Sequence, residues 1–142
     1  MKCLFWNMRG YRSRGRKSQL IEYLKKVKVD IIFLSETMRQ SFTMQELECF
    51  DLGDKFTWIW GPAPGHLGGM LLGVRDSSLD VGCFGERDFL LYASILHRKT
   101  KFKFEFVGVY GPADHSFLGA FLQELEMKVT TSPYPVLVGG GF

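Results

Sequence analysis

Residues 29–34, VDIIFL, constrain this chain more than any other stretch. The run is apolar at almost every position and rich in β-branched residues, the pattern of a strand buried on both faces. Such a strand needs an apolar layer on each side, and the preceding sequence supplies one. Residues 2–6, KCLFW, form a second short apolar run. Between the two, Leu20, Ile21, Leu24 and Val27 recur at helical spacing with Lys25 and Lys26 outside, which predicts a helix from Ser18. The order strand, helix, strand implies a crossover unit with a parallel strand pair.

Downstream, Thr43 and Glu46 form a T-x-x-E capping box, predicting a short helix with Met44, Leu47 and Phe50 inward. Residues 56–60 are aromatic and strand-like, and the Gly- and Pro-rich residues 61–69, His66 among them, read as a turn. Residues 70–74, 79–84 and 89–97 read as successive strands of an antiparallel meander. Residues 101–106 alternate charge with Phe, so one face is expected to be buried and the other wet. The strand continues to Tyr110 and stops at Gly111-Pro112. Asp114 is placed to cap a helix in which Leu118, Phe121, Leu122 and Leu125 share a face. Tyr134-Pro135 breaks it before a final strand at 136–138. The expected class is mixed α/β, one unit over residues 1–142, with helices outside sheets.

With 46% hydrophobic and 15% aromatic residues, the chain has the means to build a core, which excludes a disordered class. The net charge of +3 is too small to indicate nucleic-acid binding from composition, but its distribution is uneven. Residues 9–28 hold eight basic side chains against one acid, Glu22, so the remainder is net acidic. Cys3, Cys49 and Cys83 are far apart and odd in number, which argues for reduced core thiols over a disulfide scaffold or zinc site. No signal-peptide pattern opens the sequence, and no apolar run approaches the ~18 residues of a membrane span. The expectation is a soluble intracellular protein, nuclear or cytoplasmic, with no membrane association and no obligate protein partner.

Asn7, Glu36, Tyr110 and Gly141 each fall at or just past the end of an apolar strand, where ligands gather in α/β sheets. Asn7 and Glu36 offer oxygen donors of the kind a hard cation such as Mg²⁺ takes, alongside water and substrate phosphate. The residues alone leave open a plainer reading, an Asn in a turn and a Glu on a surface loop. For Tyr110 the plainer reading is a strand aromatic whose hydroxyl meets a backbone partner. The basic segment 9–17 beside Asn7, with Arg9, Arg12, Arg14 and Arg16, could track a nucleic-acid backbone or be a solvated loop. Gly139-Gly140-Gly141 lacks the Gly-Lys-Ser/Thr ending of a phosphate loop. His97 and His115 read as surface residues.

Taken in order, WNMRG (6–10), DIIFLSET (30–37), GGMLLGV (68–74), VGVYGPADH (107–115) and PVLVGGGF (135–142) resemble the endonuclease/exonuclease/phosphatase family. Within it they look most like the endonuclease domain of plant non-LTR (LINE-type) retrotransposon reverse transcriptases, and only its N-terminal part. The resemblance implies a DNase I-like fold: two packed β-sheets flanked by helices, with the site at the sheet edges. It further implies that Asn7 and Glu36 hold Mg²⁺, that Tyr110 contacts the phosphate, and that Gly68-Gly69 is a turn beside the cleft. DNA is the implied partner.

The family pattern closes on Gly-Asp-Phe-Asn, whereas this sequence has Gly140, Gly141 and Phe142. The position of the Asp that activates water is therefore Gly141, and the later motifs do not follow. Three readings stand: a catalytically impaired remnant of an endonuclease domain, a still-active metal-dependent phosphoesterase, and a non-catalytic nucleic-acid-binding module.

Overall fold

The structure, a computed structural model, describes residues 1–11, 14–61 and 68–141. β1 (Cys3–Asn7) leads through α1 (Arg14–Lys26) to β2 (Ile31–Ser35), and the two strands pair in parallel, as the crossover pattern requires. α2 (Met44–Glu48), β3 (Phe56–Gly61) and β4 (Met70–Arg75) follow. Then come β5 (Leu79–Glu86), β6 (Leu90–His97), β7 (Lys103–Tyr110), a 3₁₀ turn (His115–Phe117), α3 (Leu118–Thr131) and β8 (Val136–Gly141). The described residues form two four-stranded sheets, ordered β1-β2-β4-β3 and β5-β6-β7-β8.

β2 is buried at every position. Its alternate residues serve two layers. Ile31 and Phe33 enter the core between the sheets, while Ile32 and Leu34 join the core formed with α1 and α2, as the period-two geometry of a strand demands. β7 divides the same way: Phe104 and Phe106 lie between the sheets, and Val107 and Val109 pack with Phe121 of α3. Full burial of the four apolar side chains of β2 contributes on the order of 8 kcal/mol before chain entropy is counted.

Several expectations need correction. α1 begins at Arg14, not Ser18. Its first turn carries no apolar side chain, so the 3.6-residue period is invisible until Leu20. The capping box forms, with Thr43 Oγ1 accepting from the Glu46 N–H and the Glu46 carboxylate accepting from the Thr43 N–H. Leu47 and Phe50 are buried, but Met44 is exposed. β4 does not join the meander. It lies between β2 and β3 and leaves β5, β6 and β7 as the antiparallel run. Glu105 does not face water either: it is buried under α3, with its carboxylate 2.5 Å from the Lys128 ammonium. On α3 only Phe121 is buried, and Leu118 and Leu122 are exposed. The helix instead turns Glu124 inward, where the carboxylate accepts from the Phe89 N–H at 3.0 Å. The cysteines are free thiols, but Cys49 and Cys83 are exposed rather than in the core. Among the described residues no helix is long and apolar enough to cross a membrane, which says nothing of a β-barrel.

Candidate functional site

Four strands end at one edge of the sandwich. The parallel register sets Asn7 opposite Ser35, so Glu36 is the next residue past the β1–β2 pair. In the second sheet the register sets Tyr110 opposite Gly141. The two sheets meet where the Tyr110 side chain approaches the Glu36 carboxylate. Burial, and then the nearness of that carboxylate, push the phenol up to about 12. Tyr110 is protonated at neutral pH.

The loop holding Glu36 is tightly built. Glu36 has φ 52°, in the left-handed region that non-glycine residues enter at a cost of about 1–3 kcal/mol. Arg9 and Met38 share this conformation, with φ 50° and 57°. Backbone hydrogen bonds fasten the loops together: Gly10 N–H to Glu36 O at 2.7 Å, Tyr11 N–H to Thr37 O at 2.9 Å, and Met38 N–H to Gly68 O at 2.5 Å. Gly68 and Gly69 both take positive φ, and a Cβ on Gly68 would press the Glu36 backbone and side chain at 3.3 Å. The glycine pair thus forms the floor on which Glu36 rests. Thr37 is fully buried, and its hydroxyl is the one buried side-chain polar atom without a partner among the described residues.

Asn7 Oδ1 accepts from the Arg9 N–H at 2.9 Å, which fixes the amide and leaves its second lone pair. A carboxylate has about four acceptor positions, so the Tyr110 hydroxyl does not exhaust Glu36. Amide and carboxylate oxygens are donor types that a hard divalent cation takes alongside water and substrate oxygens. Among the described residues no three His, Cys, Asp or Glu side chains gather to hold a metal ion.

The two glycines at the end of β8 differ. Gly140 has φ 128°, and a Cβ there would lie 2.2 Å from the Val109 carbonyl oxygen, so no other residue fits. Gly141 has no such need: a Cβ would find only the Tyr110 ring at 3.8 Å. A Cβ at 141 is therefore sterically allowed. Phe142, His66 and Arg12 lie outside the described residues.

The basic segment is not one loop. Arg9 is exposed in the turn after β1, whereas Arg14 and Arg16 stand on the first turn of α1, Arg14 exposed and Arg16 half-buried. Two residues apart on a helix, those two point about 200° apart and cannot line one groove together. His97 is tied into the β6–β7 turn through Thr100, and His115 is exposed in the 3₁₀ turn. The left-handed Met38 is invisible in the sequence, because no local pattern marks a non-glycine residue for that conformation.

Comparison with known proteins places the fold. The pattern of the Endonuclease/Exonuclease/phosphatase family matches residues 4–142. No curated protein matches. Among solved structures, a humanized D. rerio TDP2 carrying 14 mutations superposes with a TM-score of 0.72 at 15% identity, covering 97% of this chain and 64% of its own. The Bacteroides thetaiotaomicron mannosyl-6-phosphatase Bt3783 gives 0.65 at 13% identity, covering 97% and 63%. D. rerio TDP2 complexed with a single-strand DNA product gives 0.65 at 15% identity, covering 96% and 57%. The chain thus spans less than two thirds of the length of these structures.

Proposed function

The chain belongs to the endonuclease/exonuclease/phosphatase family, and from that premise we propose that it is a catalytically impaired remnant of a Mg²⁺-dependent DNA endonuclease domain. The ordered motifs favour an origin in a non-LTR retroelement. Of the named neighbours, one is a mannosyl-6-phosphatase and another is complexed with a single-strand DNA product. The exposed Arg9 beside the site favours a polyanionic substrate over a sugar phosphate.

The observation that carries this reading is the approach of Tyr110 to Glu36 across the sheets, with Gly141 in register beside Tyr110. Glu36 and Asn7 would hold the cation, which would supply charge neutralisation at the scissile phosphate. Tyr110, kept protonated, is placed to turn its hydroxyl from Glu36 to a phosphate oxygen. Gly141 offers no carboxylate to orient a water. General-base steps of that kind are worth about 10²–10⁴ in rate, so binding should outlast catalysis.

The test pairs cleavage with binding. Supercoiled plasmid incubated with the purified chain and Mg²⁺ should stay supercoiled, while a single-stranded oligonucleotide should bind in a manner that Mg²⁺ strengthens and Glu36→Ala weakens. Nicking that EDTA and Glu36→Ala both abolish would replace impairment with activity. Absence of any Mg²⁺-dependent oligonucleotide binding would sink the reading.

A further inference from the structure

The four residues after β2 have separate fates. Glu36 meets Tyr110, and Thr37 is buried with none of its surface exposed. Arg39 is turned back to the body of the protein by two hydrogen bonds to the Glu46 carboxylate, at 2.7 and 2.9 Å, and lies over the Tyr11 and Phe42 rings. Between them Met38 is 56% exposed. Single exposed apolar residues are ordinary on a protein surface. Met38 shares a left-handed backbone with one other exposed apolar residue, Leu52, but it alone of the two stands two residues from Glu36, held by its own N–H bond to Gly68 O. A glycine, asparagine or aspartate would occupy that conformation at less cost and leave no apolar surface in water.

The neighbouring loop repeats the arrangement. Arg9 is likewise exposed and left-handed, two residues after Asn7, and the Gly10 N–H to Glu36 O bond joins its loop to that of Met38. An exposed cation and an exposed thioether, both left-handed, therefore stand on two loops fastened together through the Glu36 backbone. A cation suits a phosphate, and a thioether suits the face or edge of an aromatic ring. A nucleotide presents both.

We infer that Met38 is a specificity-determining contact for a nucleobase next to the phosphate held at Glu36, an inference that rests on the reading of the site as a nucleic-acid site. A thioether meets the ring of any base alike, so this contact selects nucleic acid over other phosphoesters rather than one base over another.

The test uses the whole chain, Mg²⁺ and two fluorescein-labelled probes: a single-stranded DNA oligonucleotide, and an abasic strand of equal length and charge. Met38→Ala and Met38→Gly are expected to lose about fivefold in affinity for the base-bearing strand, the size of one sulfur–aromatic contact. Affinity for the abasic strand is expected to stay within twofold. Met38→Gly should also melt higher than the parent chain, because it relieves the backbone, so stability rises while binding falls; a structural role would move both together. Unchanged affinity for the base-bearing strand in both variants, or equal loss on both probes, overturns the inference and leaves the site reading intact. A parent chain that binds neither probe, with Glu36→Ala equally silent, overturns both.

Discussion

The side chain of Tyr110, the last residue of β7, meets the carboxylate of Glu36, the first residue past β2, and so joins one sheet to the other where the strands end. Tyr110→Phe removes that tie without changing the ring. It is expected to cost about 1 kcal/mol, since the carboxylate can recruit water at this half-buried position. The sign with pH follows from the raised phenol. Unfolded, the phenol ionises near 10; folded, near 12. Its contribution is complete below the first value and is lost as pH rises through the second. Urea denaturation of both proteins should show their difference shrinking across that window.

Gly140 and Gly141 should respond oppositely to a side chain. Gly140→Ala drives a Cβ into the Val109 carbonyl and demands an unfavourable φ, so a loss of about 3 kcal/mol or failure to fold is expected. Gly141→Asp has room and should change stability by no more than about 0.5 kcal/mol. Isothermal titration with Mn²⁺ should show Gly141→Asp binding more tightly than the parent, because a carboxylate joins Glu36 and Asn7. Equal affinities would place residue 141 away from the cation.

The capping box of α2 gives a second pH signature. The Arg39 guanidinium, then the Thr43 N–H, hold the Glu46 carboxylate down to about 2 from an ordinary 4.5. A lowered carboxylate stabilises above its unfolded value and loses that contribution as pH falls through the folded one. The parent should lose stability relative to Glu46→Gln between about pH 4.5 and 2, and the two curves should converge at the acid end. A thermal melt series in acid buffers measures this.

Lys128 and Glu105 form the ion pair that seats α3 on its sheet, with the ammonium 3.5 Å from the centroid of the Tyr92 ring. Lys128→Met leaves a buried carboxylate with only a 3.4 Å contact to Ser132 and should cost about 3 kcal/mol. Adding Glu105→Leu should recover most of that loss in a chemical denaturation series, because the unpaired charge is then gone.

Where local pattern and tertiary setting agree, the sequence was enough. β2 announced its double burial through an unbroken apolar run, Thr43 and Glu46 announced their box, and the β1–α1–β2 crossover followed from order alone. The failures have physical causes. The Glu105 alternation looked half-wet because a charge buried beside Lys128 has the same spelling as one facing water. The first turn of α1 was hidden since helical period shows only through apolar residues. Strand spacing puts β4 in the meander because chain order carries no record of which sheet a strand joins. At the site, strand ends and resemblance point to Asn7, Glu36 and Tyr110, and the structure brings Tyr110 to Glu36. The strained backbone at Arg9, Glu36 and Met38 was illegible, because hydrogen bonds between loops far apart in sequence impose it.

The sheet order has a thermal consequence. Glu36 and Tyr110 hang from β2 and β7, each flanked by two strands, whereas Asn7 and Gly141 hang from β1 and β8, each a border strand with one neighbour among the described residues. Border strands open first, at a fraction of the free energy of global unfolding. On warming, Asn7 and Gly141 should leave the site while Glu36 and Tyr110 are still joined, so ligand binding fades below the temperature at which the fold itself melts.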